Sequence, residues 1–383
     1  MYDVIVVGAG PAGSTVSRKC AEKDLETLVL DKQSFPREKL CGGAVSERTL
    51  KLLDFDIPEE VINQGCNGAR VHFQGETVEV EKDYRLGLLV SREKFDSFLL
   101  KKAKNKGAEV KDGERVLNIT DKGSHVLVKT DKEVYRSKIV VGADGVDSTV
   151  AREVLGEEIS EEYFKLALEN RVEEVKFQDK KCDGIIDVFF GDIDGGYGWV
   201  FPHRDFFSVG IGSYEDKMKK PLKRQESFLK NLNLDVPDDF RGHRLPVGGQ
   251  GRKKVSGRTM LVGDAAGLVD PLTGEGIYYA IKSGKMCGET IGKAFSDEEP
   301  DLKELKHYEE RCLHEIERKL KWSLKICRLL YRYPWFFMNV YVMNKEVLSR
   351  SVDVVSRGES NLRLGLWMFF KTPLFVLRCF FGD

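Results

Sequence analysis

The sequence predicts an α/β protein: a parallel sheet at its start, an antiparallel middle and a helical C-terminal region. Three observations carry this reading. A buried-strand pattern runs straight into a glycine-rich turn at 8–13, alternating strand patterns fill the stretch from 160 to 250, and the texture is helical after 300. With 383 residues the chain suits two or three domains. Its 41% apolar content supports a substantial core and argues against intrinsic disorder. The 61 Lys and Arg nearly cancel the 62 Asp and Glu, which argues against a nucleic-acid-binding surface.

Taken in order, residues 2–7 read as a buried parallel strand, Ser14 to Lys23 as a helix and Thr27 to Leu30 as a second strand ending at Asp31. Residues 69–82 and 125–136 read as hairpins, with a helix over 93–106 between them that places Phe95, Phe98, Leu99 and Ala103 on one face. A further buried strand is predicted at 138–143. Ile185 to Phe190 and Phe207 to Ile211 alternate as antiparallel strands do. Met260 to Val262 restores the buried-strand pattern, and a helix is expected over about 276–290.

The glycine turn reads Gly8-Ala9-Gly10-Pro11-Ala12-Gly13, and Asp31 lies 18 positions beyond Gly13. Strand, turn, helix and terminal acid in this order form a dinucleotide fingerprint. Gly8 permits the tight turn, Gly10 lets a pyrophosphate approach the backbone beside Ala12, and Gly13 allows close helix–strand packing. The helix start favours an anion, and Asp31 can accept ribose hydroxyls. A second element joins Asp264, in Gly263-Asp264-Ala-Ala-Gly267, to Gly274, Gly276 and Ile277 at the start of a helix. A third is Asp144-Gly145 with Ser148 and Arg152. Each of these two, alone, is also compatible with a capped turn.

Together the three elements resemble the FAD-dependent monooxygenase-like superfamily, which includes aromatic hydroxylases, halogenases and polyprenyl reductases. Two local sequences resemble its geranylgeranyl reductase family: Phe35-Pro-Arg-Glu-Lys39-Leu-Cys41-Gly42-Gly43, and Tyr197-Gly-Trp199-Val-Phe201-Pro202 followed after seven residues by Gly210-Ile-Gly212. The resemblance implies one FAD in a discontinuous Rossmann-like FAD-binding domain (1–58, 92–158, 255–296). It also implies an antiparallel-sheet substrate domain (59–91, 159–254) and a helical C-terminal region (297–383). It places Cys41, Gly42, Gly43, Arg92 and Val116 at the flavin nucleotide, and Tyr197, Trp199, Phe201, Gly210 and Gly212 at an isoprenoid lipid. The expected reaction is saturation of geranylgeranyl double bonds, foremost in archaeal ether phospholipids. NAD(P)H or a small carrier such as reduced ferredoxin is the expected electron donor. A monooxygenase or halogenase of the same fold, and a non-catalytic lipid carrier with relic FAD, are the competing readings.

Elementary chemistry is consistent with this expectation. Tyr197, Trp199 and Phe201 at i, i+2 and i+4 share one strand face, as an apolar chain requires. Reducing an unactivated alkene needs a hydride and a proton, and develops positive charge that aromatic faces stabilise by about 1–2 kcal/mol per ring. Cys41 is a candidate proton donor or positioning thiol, with simple packing beside the flavin as the alternative. The eight cysteines include no CxxC pair, so no metal or iron–sulfur site is expected. No apolar run reaches 18 residues and no export signal is apparent, so a cytoplasmic chain without a transmembrane helix is expected. Between 321 and 383, however, ten Lys or Arg stand against four Asp or Glu. Arg328, Arg332, Lys345, Arg350, Arg357, Arg363, Lys371 and Arg378 interleave with Trp335, Phe336, Phe337, Trp367, Phe369, Phe370, Phe375 and Phe380. This suits a peripheral contact with an anionic membrane surface, closure of a lipid tunnel with receipt of a phosphate head group, a helical cap or a dimer contact.

Overall fold

A computed structural model describes residues 1–155, 163–173, 183–237, 239–249, 251–296, 298–358 and 361–381, with the side chains of 154, 155, 361, 362 and 378–381 excluded. The side chains of Arg378 and Phe380 in the C-terminal segment, and the boundary expected at 158, therefore lie outside the described residues. The chain divides into two compact units, 1–39 with 92–163 and 245–324, and 40–91 with 164–244 and 325–383.

The first unit is built on an eight-stranded sheet. Tyr2–Val7 lies between Thr27–Asp31 and Val134–Gly142, parallel to both; Glu109–Asp112 and Thr259–Leu261 extend the parallel set on either side. Val4, Ile5, Leu28, Ile139, Val140 and Val141 are fully buried, as strands covered on both faces must be. The hairpin expected at 125–136 and the strand expected at 138–143 share one nine-residue strand, Val134–Gly142. Its first half pairs antiparallel with Val126–Thr130 and its second half runs parallel to Tyr2–Val7. The helix expected near 276–290 spans Ile277–Ala294 and packs on Pro11–Ala21 through glycines. A Cβ on Gly284 would stand 2.7 Å from the Ala12 carbonyl oxygen, so only glycine allows this approach.

The second unit carries a seven-stranded sheet in the order Arg241–Pro246, Phe164–Glu173, Phe206–Tyr214, Gly196–Pro202, Ile185–Phe190, Gly68–Phe73, Glu76–Glu81. The pairs among Phe164–Glu173, Phe206–Tyr214, Gly196–Pro202 and Ile185–Phe190 are antiparallel, as the alternation predicts, whereas Ile185–Phe190 runs parallel to Gly68–Phe73. A smaller three-stranded sheet of Ala44–Ser46, Gly87–Val90 and Ile62–Cys66 belongs to the same unit. The helices Lys345–Arg357 and Asn361–Phe381 complete that unit.

Candidate active site

In the first unit two of the three turn glycines are fixed by sterics. Gly8 has φ +99°, and a Cβ there would stand 2.3 Å from the Ala143 carbonyl oxygen. A Cβ on Gly13 would stand 1.8 Å from the Gly8 oxygen, so this position sets how closely the helix sits on its strand. Gly10 differs. A Cβ there would meet only Arg37 Nη2, at an ordinary 3.5 Å. Packing therefore does not demand glycine at this position, and the backbone here is open to close approach. Asp31 accepts the Ala9 N–H at 2.7 Å and the Gln33 N–H at 2.9 Å, tying the turn to the end of the second strand.

A buried charge cluster adjoins the turn. Arg92, the first residue of its helix, grips Asp96 with Nε and Nη2, each at 2.8 Å. Arg37 Nη2 reaches the same fully buried carboxylate at 3.1 Å. Both guanidinium groups thus bind this carboxylate, and Arg37 Nη1 is buried with no hydrogen-bond partner. A cationic donor left over beside Gly10 fits the pyrophosphate of a dinucleotide. In the sequence Arg37 stands inside the stretch 35–43 with no signal of a role, because its partner Asp96 lies 59 positions away.

Asp264 faces the charges of Lys39 and Arg92, and burial pushes its carboxyl above the ordinary range against their opposing pull. Gly276, just ahead of Ile277–Ala294, would bring a Cβ within 3.6 Å of Asp264 Oδ1, so the two positions adjoin as the sequence implied. Gly274 adopts φ +71° and donates its N–H to the Asp270 oxygen, shaping the approach to that helix. Ile277 and Val116 are both 7% exposed; Val116 belongs to the unit's apolar core. Asp144 caps the helix Thr149–Leu155: it accepts the Ser148 hydroxyl and the N–H groups of Thr149 and Val150. The third sequence element is accordingly a capped turn.

In the second unit the three predicted aromatic residues do share a face. Ring centroids are 6.2 Å apart from Tyr197 to Trp199 and 6.3 Å from Trp199 to Phe201. The register sets Gly210 opposite Trp199 and Gly212 opposite Tyr197. A Cβ on Gly210 would stand 2.2 Å from the Trp199 ring, so this glycine makes the floor on which the indole lies. Trp199 Nε1 donates to Ser208 Oγ, which in turn donates to the buried Glu169 carboxylate.

The row ends on the Cys41–Gly43 segment. A Cβ on Gly42 would stand 2.7 Å from the Phe201 ring, so phenyl ring and backbone are in direct contact. Gly43, at φ +71°, donates to Cys41 Sγ at 3.4 Å and accepts from Val90 N. His203 fastens the segment. Asn63 Nδ2 donates to its Nδ1 at 2.9 Å, leaving Nε2–H to donate to the Gly42 oxygen at 3.2 Å. Burial lowers the His203 pKa to about 4, with Arg171 adding to the effect, so the ring is neutral near pH 7. His203 had no motif to announce it.

The family described as FAD binding domain matches residues 1–323. The chain is 32% identical to the digeranylgeranylglycerophospholipid reductase of Methanocaldococcus jannaschii, over 86% of this chain and 87% of that one. It is also 32% identical to the geranylgeranyl diphosphate reductase of Rhodobacter capsulatus, over 79% and 78% of the two chains. A geranylgeranyl bacteriochlorophyll reductase-like structure from Thermoplasma acidophilum has a TM-score of 0.82 at 25% identity and covers 98% of both chains. A flavin-dependent brominase shares the fold, with a TM-score of 0.71 at 19% identity over 92% and 94%.

Proposed function

This chain belongs to the geranylgeranyl reductase family of FAD-dependent oxidoreductases, and we propose that it saturates the carbon–carbon double bonds of geranylgeranyl chains in archaeal ether phospholipids. The observation that carries the reading is the row Tyr197–Trp199–Phe201 ending in contact with Gly42, beside Cys41. FAD, when bound, supplies a hydride donor. The glycine turn, Arg37, Arg92 and Asp31 hold the nucleotide in this account, and Gly276 and Asp264 stand at its flavin end. The aromatic row seats the isoprenoid, excludes the water that would trap a cationic carbon, and stabilises developing charge through its ring faces. Cys41 donates the proton. Reducing equivalents come from NAD(P)H or a small carrier such as reduced ferredoxin.

No helix among the described residues is long and apolar enough to cross a membrane. Two helices nevertheless present exposed apolar faces. Trp322, Ile326 and Leu329 of the helix Arg318–Arg332, with Tyr333 just past its end, line one, each preceded by a cation: Lys321, Lys325, Arg328 and Arg332. Leu366, Phe369, Phe370, Leu374 and Leu377 line the other. Apolar rows beside basic ones suit the surface of an anionic membrane, and our reading places the protein there peripherally.

The test is oxygen-free. Enzyme reduced with dithionite and freed of excess reductant is expected to be reoxidised on adding geranylgeranyl lipid under argon. Enzyme that stays reduced until oxygen is admitted would instead mark a monooxygenase or halogenase.

A further inference from the structure

Lys165 is a buried cation that the reductase chemistry does not use. It stands on Phe164–Glu173, is 3% exposed, and pairs in register with Tyr214. Its ammonium lies 4.6 Å from the centroid of Tyr214, 5.5 Å from that of Tyr331 and 6.0 Å from that of Tyr197. Nζ is 3.9 Å from Cys327 Sγ, to which Tyr214 Oη also donates. Tyr331 Oη is buried without a hydrogen-bond partner, and burial raises its pKa so that it keeps its proton. The cluster is therefore rich in donors: an ammonium and an unspent phenol, with ring faces closing around them.

Tyr197 belongs both to this cluster and to the aromatic row. From it the rings step through Trp199 to Phe201 and the Gly42 backbone. Tyr197 to Phe201 spans about 13 Å of strand. A donor-rich pole, an apolar run and the Cys41–Gly43 segment thus follow one another in line. That polarity matches an amphiphile with an anionic end and a long olefinic chain. Cys327 is fully buried, whereas Ile326 and Leu329 of the same helix are exposed. The pole therefore adjoins the inner side of a helix whose outer side suits a lipid surface.

We propose that Lys165 and Tyr331 bind the phosphate of the isoprenoid substrate and so fix how far along the aromatic row its chain extends. The proposal rests on the prenyl reductase reading for the nature of the chain. Ammonium and phenol would each donate to phosphate oxygens, in charge-assisted bonds stronger than neutral ones.

The experiment measures equilibrium binding to the oxidised, FAD-loaded enzyme by tryptophan fluorescence. The probes are geranylgeranyl diphosphate, geranylgeranylglyceryl phosphate and the uncharged geranylgeraniol. Lys165→Met keeps the side-chain length and is expected to weaken binding of the phosphate-bearing probes about tenfold or more, while geranylgeraniol stays within about twofold. Tyr331→Phe, which removes only the hydroxyl, is expected to shift binding in the same selective way by about fivefold. Loss confined to one of the two phosphate probes identifies whether a diphosphate or a glycerol phosphate is the natural anionic end. Equal weakening of all three probes, no weakening in either variant, or a wild type that binds neither phosphate probe would overturn the proposal. Selective binding loss in a protein that reduces no prenyl double bond would uphold it and refute the reductase reading instead.

Discussion

His203 offers the sharpest perturbation, because its ring is both a fastener and a titrating group. It is 2% exposed, stacks on Phe206 with centroids 4.3 Å apart, and bridges Asn63 to the Gly42 carbonyl. Its pKa falls from 6.5 to about 4, chiefly through burial. Between those values the unfolded chain holds a proton that the folded chain does not. The site's contribution to stability is therefore complete above the unfolded pKa and is lost as pH falls towards about 4. From pH 7 to pH 5 the loss is about 2 kcal/mol, at 1.36 kcal/mol per unit of unequal titration. His203→Gln replaces the ring with an amide that does not titrate in this range. Urea unfolding of both proteins at pH 7 and pH 5 gives the comparison, with the carboxylates common to both cancelling. The variant's pH-dependent loss of stability is expected to be smaller than the wild type's by about 2 kcal/mol. Identical losses in the two proteins would refute the buried, neutral imidazole.

Four further outcomes follow from the same geometry. Arg37→Met removes the unspent cationic donor beside Gly10 and is expected to weaken FAD binding by about 2 kcal/mol, roughly thirtyfold, in fluorescence titration of apoprotein; an unchanged dissociation constant would count against the pyrophosphate role. Gly210→Ala drives a methyl into the Trp199 ring and the Leu168 carbonyl, and should lower unfolding stability by about 1–3 kcal/mol with a shifted tryptophan emission. Cys41→Ala with normal FAD content should lose about a hundredfold or more in turnover; near-normal turnover would remove the thiol from proton transfer. Replacing both Phe369 and Phe370, which are 72% and 76% exposed, with Asp should weaken binding to anionic vesicles by about 2 kcal/mol or more in flotation, and equal flotation would contradict the membrane contact.

The nucleotide turn was legible because its requirements are local. Gly8 and Gly13 must approach neighbouring backbone, and a fixed spacing in the sequence records that constraint. The aromatic row was legible for the same reason, since i, i+2 and i+4 on a strand share a face. Partners distant in sequence were not. Nothing local marks Arg37, whose neighbours Asp96 and Gly10 are brought beside it only by the fold. Nothing local marks Lys165, over which three tyrosines from other segments close. Gly210 carries a role visible only once the register puts Trp199 across from it. The long strand Val134–Gly142 was read as two pieces because its halves meet different partners and so carry different burial patterns.

The central claim is that an isoprenoid olefin accepts a hydride and a proton beside the Cys41–Gly43 segment. Mass spectrometry of a geranylgeranyl ether phospholipid, incubated without oxygen with the dithionite-reduced, FAD-loaded enzyme, tests it most directly. The account predicts products heavier by two hydrogens for each double bond lost. A lipid recovered with every double bond intact, from enzyme shown to hold reduced FAD, would contradict it.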